Sequence, residues 1–484
     1  MRKLFFLAMI VLLGIVPAKA QVDDDITRAM SDFQRFRDSI HNDFESFRRQ
    51  ANEEYARFME EEWKPFSSQP ALPVPRKPKP PQPVVADPET RPTMDPIPFA
   101  GQPIVPKPID NPQPLEPIKM RPRPNEPVES FHFFGTPMKF HFDKEHYGIV
   151  LKDLSEKSVA ATWKQLSGEY YDNIIAECLQ NRKERNLCDW AYYLLTKQVA
   201  EKSCGGASNE AIVMQMYLLT QSGYKVRLSR SEDRLCILLG SEETLYRYKF
   251  FTFNSGKFYV MDPTLGSKAF YIYDHSFPKE TSFSLAISQP KLTEQSTEDR
   301  TLKSKKYPEL TVTLATNKNL IDFLDTYPVT DNWHLYSKAS LSDLAKEDLY
   351  PALKAAIKDK TETEAASILL NFVQTGFQYE TDQEQFGYER PLFPDESIYY
   401  PYCDCEDRSI LYSCLVRELL GLEVVLLNFP EHLATAVHFN ETVPGDYIEV
   451  EGTMYTICDP TYIGAPIGRC MPDLKTVMPI VVRF

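Results

Sequence analysis

Between Pro65 and Pro127 one position in three is proline, 21 of 63. A locked φ and a missing N–H exclude such a stretch from helix interiors and central strands. The folded parts of this 484-residue chain must therefore lie on either side of it. The stretch itself, residues 65–127, reads as polyproline II, a semi-rigid spacer of up to ~3.1 Å per residue. At roughly 100–200 residues per domain, the remainder has room for two or three cores.

The first twenty residues read as a signal peptide. Arg2 and Lys3 precede an apolar run from Leu4 to Val16, and Ala18-Lys19-Ala20 supplies a small-x-small cleavage site. The run makes about 20 Å of helix, short of the ~30 Å hydrocarbon core of a bilayer. No cysteine follows it, so a lipid anchor is not indicated. The expected location is outside the cytoplasm, periplasmic or secreted. Loss of Arg2, Lys3 and Lys19 would take the formal charge from −14 to −17. No dense Lys/Arg stripe is present, and nucleic acid is not expected as a partner. An exported chain can form disulfides, but nine cysteines leave at least one unpaired within a monomer.

Residues 21–64 carry an eleven-residue repeat: DFQRFRDSIHN, DFESFRRQANE, EYARFMEEEWK. Phe33, Phe44, Tyr55 and Phe66 share one phase, and Phe36, Phe47 and Phe58 another. Eleven residues in three turns is close to a straight helix, so the aromatic stripe hardly drifts. A helix through 22–64 is expected. Its aromatic face has two readings: packing on the body of the protein, or self-association and docking onto an envelope partner.

After residue 128 the composition becomes that of globular protein. Residues 406–420 place Ile410, Leu411, Cys414, Leu415 and Leu419 on one helical face, and Gly421 ends the helix. Residues 423–428, 432–439, 447–450 and 454–458 then read as strands, with VPGD and EGT as turns. Cys405 falls at the helix N-terminus, where orphan N–H groups and the dipole favour a thiolate. His432 opens one strand and Asp459 closes a later one. Cys, His and Asp in this order can serve as nucleophile, base and orienting carboxylate. Zinc ligation by Cys403, Cys405, Cys458 and Cys470 is disfavoured, because their spacing is not a known ligand pairing. No metal or cofactor is expected.

The run FPDESIYYPYCDCEDRSILYSCLVRELLGLEVVLLNFPEHLATAV, followed by YTICDPTY, resembles the transglutaminase-like superfamily, closest to its bacterial cysteine-protease members. The resemblance covers about residues 360–465 in three ordered blocks. It implies a papain-like catalytic core in which Cys405 is the nucleophile, His432 the base and Asp459 its orienting partner. The pattern departs from the family around Cys405, preceded by Tyr402 and Asp404, and after His432, followed by Leu433 and Ala434; no oxyanion donor is assigned.

An earlier segment repeats the unit. ASNEAIVMQMYLLTQSGYKV, residues 207–226, lies without a gap over residues 405–424, and Gly223 matches Gly421. Arg234 and His432 each come 11 residues after the glycine, and Asp262 and Asp459 each stand in Asp-Pro-Thr. Ala207 and Arg234 replace the nucleophile and the base. The fold expected is therefore α+β, with two papain-like, transglutaminase-like domains: a degenerate one over 128–304 and a catalytic one over 305–484. The expected function is an exported cysteine hydrolase, a protease or amidase working through a thioester on a protein or peptide substrate. A crosslinking acyltransferase needs the same triad, and a non-catalytic envelope adaptor is the alternative of a different class.

Overall fold

In the computed structural model the residues described are 47–484, apart from 76–81, 89–92, 100, 106–110, 119, 122–126, 142–147 and 267–268. The signal-peptide reading and the first part of the eleven-residue repeat fall outside them. The fold is α+β, with helices packed on antiparallel sheets.

Helices Glu156–Leu166, Asp172–Glu184, Asp189–Ser203 and Asn209–Gln221 lead into strands Val226–Ser231, Arg234–Gly240, Phe250–Phe253, Gly256–Val260 and Phe270–Ile272. A second series begins with the hairpin Arg300–Lys303/Thr311–Leu314. Its longer helices, Asp343–Ile357, Glu362–Gly376 and Cys405–Leu420, lead into strands Glu423–Phe429, His432–His438, Tyr447–Val450, Thr453–Cys458 and Ile480–Val482. In both sheets the order across the sheet is fifth, first, second, fourth and third strand of the series. The ungapped sequence match thus extends to an identical topology. Local signals explain the helix ends: Ser208 and Ser342 cap with their hydroxyls, Thr361 and Glu364 form a capping box, and Gly421 stops its helix at a φ of 68°.

The hairpin straddles position 304, and Leu302, Val312 and Leu314 share a core with Leu349, Leu353 and Phe372. The second unit therefore starts ahead of residue 305. The two units are joined by polar contacts as well as packing. Tyr246 Oη donates to Asp331 Oδ2 at 2.7 Å and Trp190 Nε1 to Thr326 Oγ1 at 3.0 Å.

The helix expected through 22–64 is helical over 47–59 and ends there, because three glutamates, Glu60 to Glu62, meet the negative end of the dipole. Trp63 then turns inward, its Nε1 donating to the Met59 carbonyl at 3.2 Å. Tyr55 is buried against Trp163, Tyr273 and Phe277, with ring centroids 5.0–5.4 Å apart. This part of the aromatic face packs on the body. Among the described residues no helix is long and apolar enough to cross a membrane.

Where it is described, the proline-rich stretch is not a free spacer. Strand Lys64–Phe66 pairs with Phe270–Ile272 on one edge of the first sheet, and Gln69 bridges Phe250 on the other. Only a curled sheet lets three residues span both edges, and Phe66 sits 5.1 Å from Phe253 across the gap. The second sheet is likewise bridged at both edges. Ile97 N donates to Tyr447 O at 2.7 Å on one edge, and Ile104 N to Val481 O at 2.8 Å on the other. Prolines permit this because the donors are the non-proline residues between them, each making a bridge at a sheet edge.

Candidate active site

Cys405 is the first residue of its helix. Asp407 fastens the approach: its Oδ2 accepts from Asp404 N at 3.1 Å and its Oδ1 from Leu392 N at 2.8 Å. A first-turn carboxylate satisfies backbone donors and complements the dipole. One turn on, the Ser409 hydroxyl donates to the Leu433 carbonyl at 2.8 Å. Residues four apart share a helix face, so this bond ties the Cys405 face to the strand that His432 opens.

His432 and Asp459 are brought together, Nε2 lying 2.8 Å from Oδ2. The tight turn at Pro430–Glu431 sets Phe429 opposite His432, and Thr435 faces Cys458, which leaves Asp459 just beyond the paired strand. Asp459 Oδ1 accepts from Thr461 N at 2.8 Å and Tyr462 N at 3.2 Å, an Asx turn. Cys405 and Asp459 are 1% and 3% exposed and His432 8%, so substrate would reach this site only after local opening. The Cys405 thiol donates to Glu406 Oε2 at 3.0 Å. A carboxylate acceptor keeps the proton on sulfur.

Two residues that no local pattern marks hold the arrangement. Gln374 Nε2 donates to the carbonyls of Asp459, Tyr462 and Ala465 at 3.1, 2.9 and 3.2 Å. The buried Arg408 donates to the carbonyls of Gln374 at 3.2 Å and Phe377 at 3.0 Å, closing the end of the helix Glu362–Gly376. The Cys405 helix, the Gln374 helix and the Asp459 turn are thereby one connected frame.

Around the approach to Cys405, Asp382, Glu389, Asp404, Glu406 and Asp407 bring ligand atoms within 4.8 Å of one another in overlapping threes, one including the Cys405 sulfur. Oxygen donors of this kind suit a hard cation. Several already serve the backbone, however: Asp382 Oδ2 accepts from Arg390 N at 2.7 Å, and both Asp407 oxygens are engaged as above. Cys403, Cys458 and Cys470 join no such group among the described residues. None of the nine cysteines forms a disulfide, and burial pushes the thiols of Cys458 and Cys470 up to about 12.

The first unit keeps the carboxylate turn with a different partner across it. Asp262 Oδ1 accepts from Thr264 N at 2.9 Å, as Asp459 accepts from Thr461. Arg234 Nη2 donates to Asp262 Oδ2 where His432 meets Asp459, and Nη1 donates to Thr264 Oγ1 at 3.2 Å. A permanent cation stands in place of a base. Ala207 precedes the helix cap Ser208, and burial pushes the Cys204 thiol, three residues earlier, up to about 12. Comparison with protein-family models, with curated proteins and with solved structures gives no significant match.

Proposed function

We propose that this chain is a transglutaminase-like cysteine hydrolase, exported and acting on peptide or carboxamide bonds, with Cys405, His432 and Asp459 as its triad. The observation that carries the reading is the His432–Asp459 pair at 2.8 Å, set on the strand to which Ser409 ties the Cys405 helix. With Nε2 committed to Asp459, Nδ1 is the nitrogen through which His432 exchanges a proton with the thiol. His432 takes the thiol proton, and the thiolate adds to the carbonyl carbon. The tetrahedral intermediate collapses as the C–N bond breaks, with the imidazolium proton going to the leaving nitrogen. Water, deprotonated by His432, then cleaves the thioester, and the proton returns to sulfur. An amine in place of water makes the same site an acyltransferase. The first unit, with Arg234 and Ala207, is a non-catalytic partner domain of the same fold.

One observation favours a second reading, that of a non-catalytic adaptor: Cys405 is buried and its thiol donates to Glu406. Iodoacetamide labelling across pH, read by peptide mass spectrometry on the wild type, Cys405→Ala and His432→Ala, separates the two. An enzyme gives a Cys405 that labels ahead of the other eight cysteines, with a pH profile that moves to higher pH in His432→Ala. An inert Cys405 with an unchanged His432→Ala profile makes it an adaptor.

A further inference from the structure

A cavity of about 500 Å³ opens between the hairpin Arg300–Lys303/Thr311–Leu314 and the segment 398–401. That is within the range of small-ligand sites. Arg300 stands in its wall. Its guanidinium donates to the carbonyls of Ile398, Tyr400 and Pro401, the last at 3.0 Å, and lies over the Phe377 ring at 5.5 Å. Carbonyls and a ring hold this half-buried cation, whereas Arg227 is matched by Glu280 and Arg390 by Glu396. Lys318 brings a second cation, an ammonium ion-paired with Asp322, to the cavity. Glu298, on the exposed rim, forms no ion pair with Arg300 among the described residues. Tyr399 and Tyr400 also line the cavity, the Tyr400 hydroxyl donating to Asp325 Oδ1 at 2.6 Å.

We propose that this cavity is a carboxylate-anchoring subsite, which takes a peptide by its C-terminal carboxylate or by an acidic side chain, with Arg300 as the counter-charge. A planar guanidinium recognises a carboxylate through paired N–H donors, and the tyrosine rings cover the apolar part of the neighbouring residue. Pro401 in the cavity wall is four residues from Cys405. Four residues span at most about 14 Å, so the cavity wall lies within that distance of Cys405, and an extended peptide anchored here would meet the thiol within roughly that many residues once the site opens. Its service as a substrate anchor rests on Cys405 being the nucleophile; the binding itself does not.

The test is calorimetric titration of the full chain carrying Cys405→Ala with three blocked alanine pentapeptides: one with a free C-terminal acid, its C-terminal amide, and the amide with a central glutamate. The expected result is that a carboxylate-bearing peptide binds at least about tenfold more tightly than the plain amide. Whichever of the two acids binds identifies the source of the carboxylate. Arg300→Gln is expected to abolish the difference. Because Arg300 also holds three carbonyls, Ser296→Asp provides a second arm, placing a competing carboxylate in the cavity from an exposed position. It is expected to lower the affinity about tenfold or more while the thermal melt stays unchanged. Equal binding of acids and amide, absence of binding at millimolar peptide, or a Ser296→Asp protein that binds like its parent overturns the proposal. None of these outcomes bears on whether Cys405 labels as a nucleophile.

Discussion

Gln374 shares one amide group among three carbonyls 85 to 91 residues away in sequence. Replacing it by leucine leaves buried acceptors without donors, at a cost of about 2–3 kcal/mol. Gln374→Glu is expected to cost at least as much, since a carboxylate has no amide protons to give; thermal unfolding of both variants checks this. His334 makes a second residue-scale prediction. Its Nε2 is buried without a hydrogen-bond partner, and burial, with Lys338 and Arg417 nearby, lowers the imidazole from its usual 6.5 to about 4. Between those values the unfolded chain holds the extra proton, so acidification through this window removes stability. His334→Gln is expected to reduce that acid loss by about 1–2 kcal/mol, read from melting temperatures at pH 7 and pH 4.5. The contrast between residues that could be read and residues that could not is physical. Asp459 announces itself because Asp-Pro-Thr is a local turn, and Cys405 because it stands at a helix start. Gln374 and Arg408 act only through partners that three-dimensional packing supplies.

At the scale of elements, strand Val226–Ser231 buries an ion pair. Arg227 is fully buried and donates from Nη1 and Nη2 to the two Glu280 oxygens, each at 2.8 Å, with Ser276 Oγ at 2.9 Å. Glu280→Gln is expected to destabilise the first unit by about 2–3 kcal/mol, because the buried cation is left with Asp274 alone, 3.4 Å from its Nε. An Arg227→Met/Glu280→Leu double variant is expected to recover much of that loss, and a double-mutant cycle measures it. The helix over 47–59 is anchored by Tyr55 and by Asn52, whose Nδ2 donates to Gln221 Oε1 at 3.2 Å. Tyr55→Ala is expected to release it, with a cost of about 3–5 kcal/mol, and limited proteolysis to cut first between residues 47 and 63. The helix over 406–420 and the strands that follow it to 458 were legible from periodicity and turn residues. The helix end at 59 was missed because the repeat persists to Phe66 while local charge stops the helix. The edge bridges of the proline-rich stretch were missed because single-residue pairing leaves no alternation to read.

For the molecule as a whole, the repeated strand order sets two matching carboxylate turns in one sequence, one facing Arg234 and the other His432. The turn carboxylates Asp262 and Asp459 are retained by their structural bonds to Thr264 and Thr461, whatever faces them across the sheet. Duplication was legible because glycine caps and Asp-Pro-Thr turns keep their spacing; the sheet closure by distant segments was not. Whole-molecule stability also has a neutral-side limit. Asp395, fully buried on Ser342, is pushed up to about 6 by desolvation. The folded state therefore holds the proton longer than the unfolded chain, and stability falls as pH rises from about 4 through 6. Asp395→Asn is expected to flatten that fall, about 2–3 kcal/mol, in melts taken at pH 4, 5, 6 and 7.

The described edge segments that precede residue 105 constrain how the molecule can be assembled. Arg469 reaches the Asp87 carbonyl across 382 positions, and Thr93 reaches Asp446 across 353. A chain made from its N-terminus releases these segments long before Tyr447 and Val481 exist. The second sheet can therefore receive its edge bridges only after its own strands have been made, from residues synthesised long before them. In the interval, frequent prolines deny the waiting segments the continuous ladder they would need to pair with another copy. The same composition that rules out helices and central strands keeps an early-made segment solitary until its late-made partners arrive.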